Sequence, residues 1–135
     1  MHEHVSMFLI VDDEPDMCWA LQHILKTAGF CSQFALSGHD ALNLVRQHKY
    51  ALAFLDAKLP DMDGLQLAKE IHELDPTTCV VMVSGYFYQD DVTIQKAIRE
   101  NLITGFISKP FLNDEIIRAI ETTGAANCPR AEMRE

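Results

Sequence analysis

The sequence is poor in the features that mark several protein classes. Its four cysteines, Cys18, Cys31, Cys79 and Cys128, include no C-x-x-C pair, so neither a zinc ribbon nor a thioredoxin-type site is indicated. They read as reduced thiols, the first three at or near the core. No uninterrupted apolar run approaches the roughly 18 residues that a membrane span requires. Positive charge is scarce: 11 Lys and Arg stand against 20 Asp and Glu, for a formal charge of −9. That balance argues against binding nucleic acid or an anionic membrane through bulk charge. The opening residues MHEHVSM lack a basic start, and the apolar run after them is short for a secretory leader. A cytoplasmic address is therefore the expectation. His2 and His4 flank Glu3 in what reads as a polar tail.

What is present is a chain of 135 residues, 48% hydrophobic, enough for one domain with a real core. Residues 1–122 are expected to form that domain, and 123–135 a tail or the start of a linker. The stretch FLIVDDEPDM, residues 8–17, poses the first problem. Four apolar residues run directly into Asp12, Asp13 and Glu14. A helix N-terminus welcomes acids, but a buried strand feeding adjacent carboxylates calls for a further reason.

Apolar runs alternate with helical spacing along the chain. Strands are expected over Ser6–Val11, Phe30–Leu36, Ala51–Leu55, Val80–Val83 and Gly105–Ser108, the second at an edge because its pattern is mixed. Met17, Leu21, Ile24, Leu25 and Ala28 mark a first helix, with Pro15 in its first turn and Gly29 after its last. Ser37 and Asp40 have capping-box spacing before Ala41, Leu44 and Val45. Leu67, Ala68, Ile71 and Leu74 form a third apolar stripe, ended by Asp75-Pro76. Val92, Ala97 and Ile98 should face inward from a fourth helix, and Ile116, Ile117 and Ile120 from a fifth. Near-continuous apolar strands imply a parallel sheet covered on both faces, an open doubly wound α/β fold with right-handed crossovers.

Ligands of such sheets sit beyond the carboxyl ends of the strands. There the first strand supplies Asp12 and Asp13, the third Asp56, the fourth Ser84 and the fifth Lys109. Two carboxylates about 4–5 Å apart repel by roughly 3–4 kcal/mol at an effective dielectric of 20. Such a cluster either raises its pKa values or recruits a cation. Oxygen donors without His or Cys suit a hard ion, Mg²⁺ being the usual one beside phosphate. Phosphoryl transfer onto a carboxylate needs a nucleophilic Asp, a metal, an opposing cation and a hydroxyl donor. Asp56, alone at a central strand end, is the nucleophile in that reading. Asp12 and Asp13 are the metal acids, and Ser84 and Lys109 hold the phosphate.

These residues resemble the receiver domains of two-component response regulators. The resemblance rests on Asp12-Asp13, on Asp56 followed by Leu59 to Gly64 (LPDMDG), on Ser84, and on Lys109-Pro110, and runs from about residue 6 to 122. It implies a flavodoxin-like fold with strand order 2-1-3-4-5 and helices on both faces. It also implies that Asp56 is the phosphoacceptor, charged by a histidine kinase or phosphotransfer protein. Asp13 and Asp56 would bind Mg²⁺ with the backbone carbonyl of Lys58, and Asp12 would act largely through water. A cis Lys109–Pro110 peptide is implied, as is a switch pairing Ser84 with Phe106. The face made by the last two helices and the fifth strand would then control a partner, through docking or a homodimer.

Two features depart from the common pattern. Phe106 lacks the hydroxyl that a tyrosine would offer at the switch. Lys58 and Tyr86, two places after Asp56 and Ser84, are bulky or charged where attacking water would pass, so slow self-dephosphorylation is expected. Tyr86, Phe87 and Tyr88 are either loop packing or a partner surface, and Trp19 reads as a partly exposed packing residue. Two alternatives stay open at this point. An aspartate-nucleophile phosphatase resembling the haloacid dehalogenases would have D-x-D on its first strand and turn over phosphoesters. A phosphorylation-independent interaction module would need no complete acidic and Lys set.

Overall fold

The computed structural model describes residues 7–85 and 91–123. Five apolar runs become five short strands: β1 (Met7–Val11), β2 (Cys31–Ala35), β3 (Leu52–Leu55), β4 (Cys79–Ser84) and β5 (Gly105–Ser108). They pair only in parallel, in the order β2-β1-β3-β4-β5. The helices between and after them are α1 (Pro15–Thr27), α2 (Gly38–Gln47), α3 (Gly64–Leu74), α4 (Val92–Arg99) and α5 (Asn113–Thr123). This is the doubly wound sheet expected from the apolar strands, with β2 at one edge and β5 at the other.

Side chains alternate across the pleat, and so the sheet has two cores. Leu9, Val11, Ala53 and Leu55 pack with Ala41, Leu67, Ile71 and Ile94 on one face. Phe8, Ile10, Leu52 and Phe54 pack with Leu21, Leu25, Ile116 and Ile120 on the other. Phe8 to Val11 of β1 and the whole of β3 are almost fully buried, so a polar residue that follows either strand falls on the carboxyl rim of the sheet.

The helix boundaries follow their caps. Ser37 accepts from the Asp40 N–H at 3.2 Å, and Asp63 and Asp91 accept from Leu65 and Thr93 N–H, each at 2.8 Å. After α1 the chain reverses at Gly29 with φ 93°, a left-handed conformation that glycine adopts without penalty. Two expected core residues are corrected. Leu74 is 45% and Val92 is 79% exposed, because each is the terminal residue of its helix, α3 and α4 respectively, and turns away from the sheet. Ile94, not Val92, is the buried anchor of α4.

Gly64 holds a position that no side chain could occupy. A Cβ there would lie 2.2 Å from the Asp56 carbonyl oxygen and 2.9 Å from the Ala57 Cα. Both are backbone atoms of the turn that presents Asp56, so neither can yield. Gly64→Ala is expected to cost about 3 kcal/mol. Gly38→Ala, which meets only the flexible Met62 side chain, should cost far less. Urea midpoints of the two variants check the contrast.

Candidate functional site

β1, β3, β4 and β5 all point their carboxyl ends to one rim, and the predicted residues meet there. Asp12 follows β1 and is 2% exposed. One of its carboxylate oxygens accepts from the Glu14 N–H at 2.9 Å, the other from the Lys109 ammonium at 2.7 Å. Lys109 also lies 3.7 Å from the Asp56 carboxylate. One oxygen each of Asp12, Asp13 and Asp56 falls within a 4.8 Å cluster. Asp13 is exposed and Asp56 half-buried, so the cluster opens to solvent on one side. Ser84 closes β4, is 1% exposed, and accepts from the Lys109 N–H through its carbonyl oxygen at 3.1 Å. The Lys109–Pro110 peptide bond is cis.

The other candidates lie around this centre. Lys58 is exposed, in an isolated bridge with Asp63 that folds the loop back under Asp56. Phe106, on β5 opposite Met82, is half-buried against the core that contains Ile94. Tyr86, with Phe87 and Tyr88, lies outside the described residues, as do His2, His4 and Cys128.

Electrostatics explain why the carboxylates tolerate one another only in part. With their nearest oxygens no more than 4.8 Å apart, each pair repels by at least about 3.5 kcal/mol at an effective dielectric of 20. Lys109 attracts Asp12 and Asp56 by about 6 and 4.5 kcal/mol on the same basis. One ammonium thus offsets most of the repulsion, before any of the groups is charged for leaving water. Desolvation then decides the outcome at Asp56. Burial raises its carboxyl above the ordinary range; Lys109 opposes this, and the Asp12 charge adds to it. Burial alone would lower the Lys109 ammonium, but the hydrogen bond to Asp12 and the charges of Asp12, Asp56 and Glu14 leave it raised. The set is three oxygen donors with no thiolate or imidazole, and it carries an excess of negative charge. Both properties fit a hard divalent cation.

Two contributors were not read from the sequence. Cys18, one turn into α1, donates its thiol to the Asp12 carbonyl at 3.4 Å. Burial, with the Asp12 charge, pushes that thiol up to about 11, so it stays protonated and serves as a donor. Asp61, inside LPDMDG, reaches across to α2, where the Gly38 and His39 N–H groups donate to it, each at 2.9 Å. The His39 ring is a further partner. The motif is legible as a loop signature, but a 23-residue reach to another helix's N-terminus leaves no local trace.

Those hydrogen bonds, the His39 ring's first, hold the Asp61 carboxyl down to about 2. A depressed carboxyl contributes stability above its unfolded value near 3.9, and this is lost as pH falls through the folded one. Asp61→Ala is therefore expected to cost about 1 kcal/mol at neutral pH. The variant and the parent should converge below about pH 2, as read by urea unfolding across the acid range.

Comparison with known proteins agrees with this geometry. The chain belongs to the response regulator receiver domain family, whose model matches residues 8–121. It is 31% identical over 123 residues to the transcriptional regulatory protein ZraR of Escherichia coli K12, covering 89% of this chain and 26% of that protein. It is 32% identical over 114 residues to the C4-dicarboxylate transport transcriptional regulatory protein DctD of Rhizobium meliloti, covering 84% and 24%. The chain thus spans about a quarter of the length of these two relatives. A CheY-like response regulator receiver domain protein from Methanospirillum hungatei superposes with a TM-score of 0.82 at 25% identity, covering 91% of this chain and 96% of that one. Among the described residues no helix is long and apolar enough to cross a membrane.

Proposed function

We propose that this domain accepts a phosphoryl group on Asp56 from a histidine kinase or a phosphotransfer protein, and that the modification controls a partner. The observation that carries this reading is the Lys109 ammonium, 2.7 Å from Asp12 and 3.7 Å from Asp56 in a cluster of three carboxylates. An Asp56 oxygen attacks phosphorus in line as the phosphorus–nitrogen bond of the donor phosphohistidine breaks. Lys109 and the Ser84 hydroxyl hold the remaining phosphoryl oxygens. Asp12, Asp13, Asp56 and the Lys58 carbonyl would hold Mg²⁺, which when bound neutralises charge on the transferring group. The domain alters only its own Asp56; it does not turn over a metabolite.

The added phosphoryl brings close to two negative charges to the rim. Ser84 and Phe106 then relay the change to the face of α4, β5 and α5, where a partner docks or a second copy pairs. A cytoplasmic location and a receiver domain ending near residue 122, with 123–135 a tail or linker, complete the reading. Acetyl phosphate with Mg²⁺ tests it. A mass gain of one phosphoryl group is the expected result, and an unmodified protein would overturn the reading.

Loss of the phosphoryl group should be slow, with a lifetime well beyond seconds. Lys58, exposed two places after Asp56, obstructs the approach of water from its flank. Lys58→Ala is expected to shorten the phosphoryl lifetime several-fold, measured as decay of the phosphorylated mass after removal of the donor. An unchanged lifetime would remove Lys58 from this role.

A further inference from the structure

Six large apolar side chains are exposed among the described residues, and three of them, Trp19, Phe34 and Leu36, lie along β2 and the adjoining flank of α1. β2 is an edge of the sheet. Its sequence, CSQFA, has neither charge nor proline, two of the devices that keep an edge strand from pairing. The Ala35 carbonyl accepts from the Asp12 N–H on the inner side. Backbone groups alternate sides along a strand, so those of Ser32 and Phe34 turn outward. Gln22 Nε2 reaches the Ser32 carbonyl at 3.4 Å, long for a hydrogen bond and easily exchanged for a better-placed donor.

A groove of about 610 Å³ runs beside this edge, lined by Trp19, Gln22, His23, Lys26, Cys31 and Ser32 among others. Trp19 is 67% exposed, and its ring stacks on that of His23 with centroids 5.5 Å apart. No carboxylate lines this groove; Asp40 lines the separate groove beside Phe34 and Leu36. Lys26 supplies the one fixed charge among the lining residues, and it is positive.

We propose that the α1–β2 edge is a docking site for an extended, acidic segment of a partner protein. The segment pairs with β2 as a sixth strand, sets an apolar side chain against Trp19 and brings a carboxylate to Lys26. A second copy of this chain fits less well. Its own edge strand, CSQFA, is uncharged and brings no carboxylate to Lys26. The site is separate from the phosphoacceptor rim and does not depend on it.

Trp19 is the sole tryptophan, so its emission reports on this groove alone. A displayed library of random short peptides would be selected on the full chain and counter-selected on Trp19→Ala/Lys26→Glu. Both side chains are exposed, and an unchanged urea midpoint confirms that the variant folds. The expected winners alternate apolar and acidic residues and shift Trp19 emission to the blue in a saturable way. They should bind Lys26→Glu at least about tenfold more weakly, Lys26→Gln showing an intermediate loss. Proline at a pairing position of the peptide should abolish binding. Failure to enrich any sequence, enrichment without acidic bias, or equal binding to the double variant would overturn the proposal. So would a blue shift that appears with protein concentration alone and tracks self-association in sedimentation.

Discussion

Replacing Lys109 by methionine is expected to lower the stability of the metal-free protein by about 3 kcal/mol and to reduce phosphoryl uptake by roughly 10²–10³-fold. The stability loss comes from Asp12. That carboxylate is 2% exposed, and Lys109 is its ion-pair partner at 2.7 Å. Methionine fills a similar volume but leaves a buried charge uncompensated, beside two further carboxylates within 4.8 Å. The loss of uptake comes from the other end of the same ammonium, 3.7 Å from Asp56, where charge develops during transfer. Mg²⁺ should restore much of the stability and little of the uptake, since it can replace a positive charge but not a donor on the opposite side. Urea unfolding with and without Mg²⁺, and intact mass after acetyl phosphate, separate the two effects. A variant as stable as the parent would show that the pair contributes nothing.

Asp56→Asn should move the two quantities in opposite directions. Uptake falls to baseline, at least about a thousandfold, because the attacking oxygen is gone. Stability at neutral pH rises. The Asp56 carboxyl is raised, chiefly by burial, so its ionised form is held less well in the folded state than in the unfolded one. The linked stability is full below the unfolded value near 3.9 and is lost as pH rises through the folded value. Asparagine suffers no such loss. The advantage of the variant should therefore open above about pH 4 and persist at pH 7. A destabilised Asp56→Asn would place the carboxylate among the fold's supports.

Much of the fold was legible because its strands are short, apolar and punctuated. FLIV, LAFL and CVVMVS can be covered only on both faces, and that requirement leads to a parallel sheet with helices on each side. The site was legible for a related reason. A polar residue directly after a buried strand must sit on the rim, so Asp12, Asp56, Ser84 and Lys109 could be placed together without any long-range signal. What sequence could not supply was the choice among partners at the rim. Lys109 sits closer to Asp12 than to Asp56, which depends on side-chain burial and not on order along the chain. The errors at Leu74 and Val92 share one cause: helical periodicity continues on paper past the point where the helix still faces the sheet. Asp61 escaped because it acts on backbone groups 22 and 23 residues away, and Cys18 because a thiol bonding a carbonyl six residues back leaves no distinctive pattern.

The central claim is that three carboxylates and one ammonium form a site left incomplete in charge until a divalent cation enters. The most direct test is the thermal midpoint of the full chain titrated with Mg²⁺, run beside Asp13→Asn. The parent should gain stability in a saturable way, reaching about 2.7 kcal/mol at a hundredfold excess over the dissociation constant. Asp13→Asn should begin more stable without metal and gain little from it. A parent indifferent to Mg²⁺, or a variant that responds just as strongly, would contradict the account.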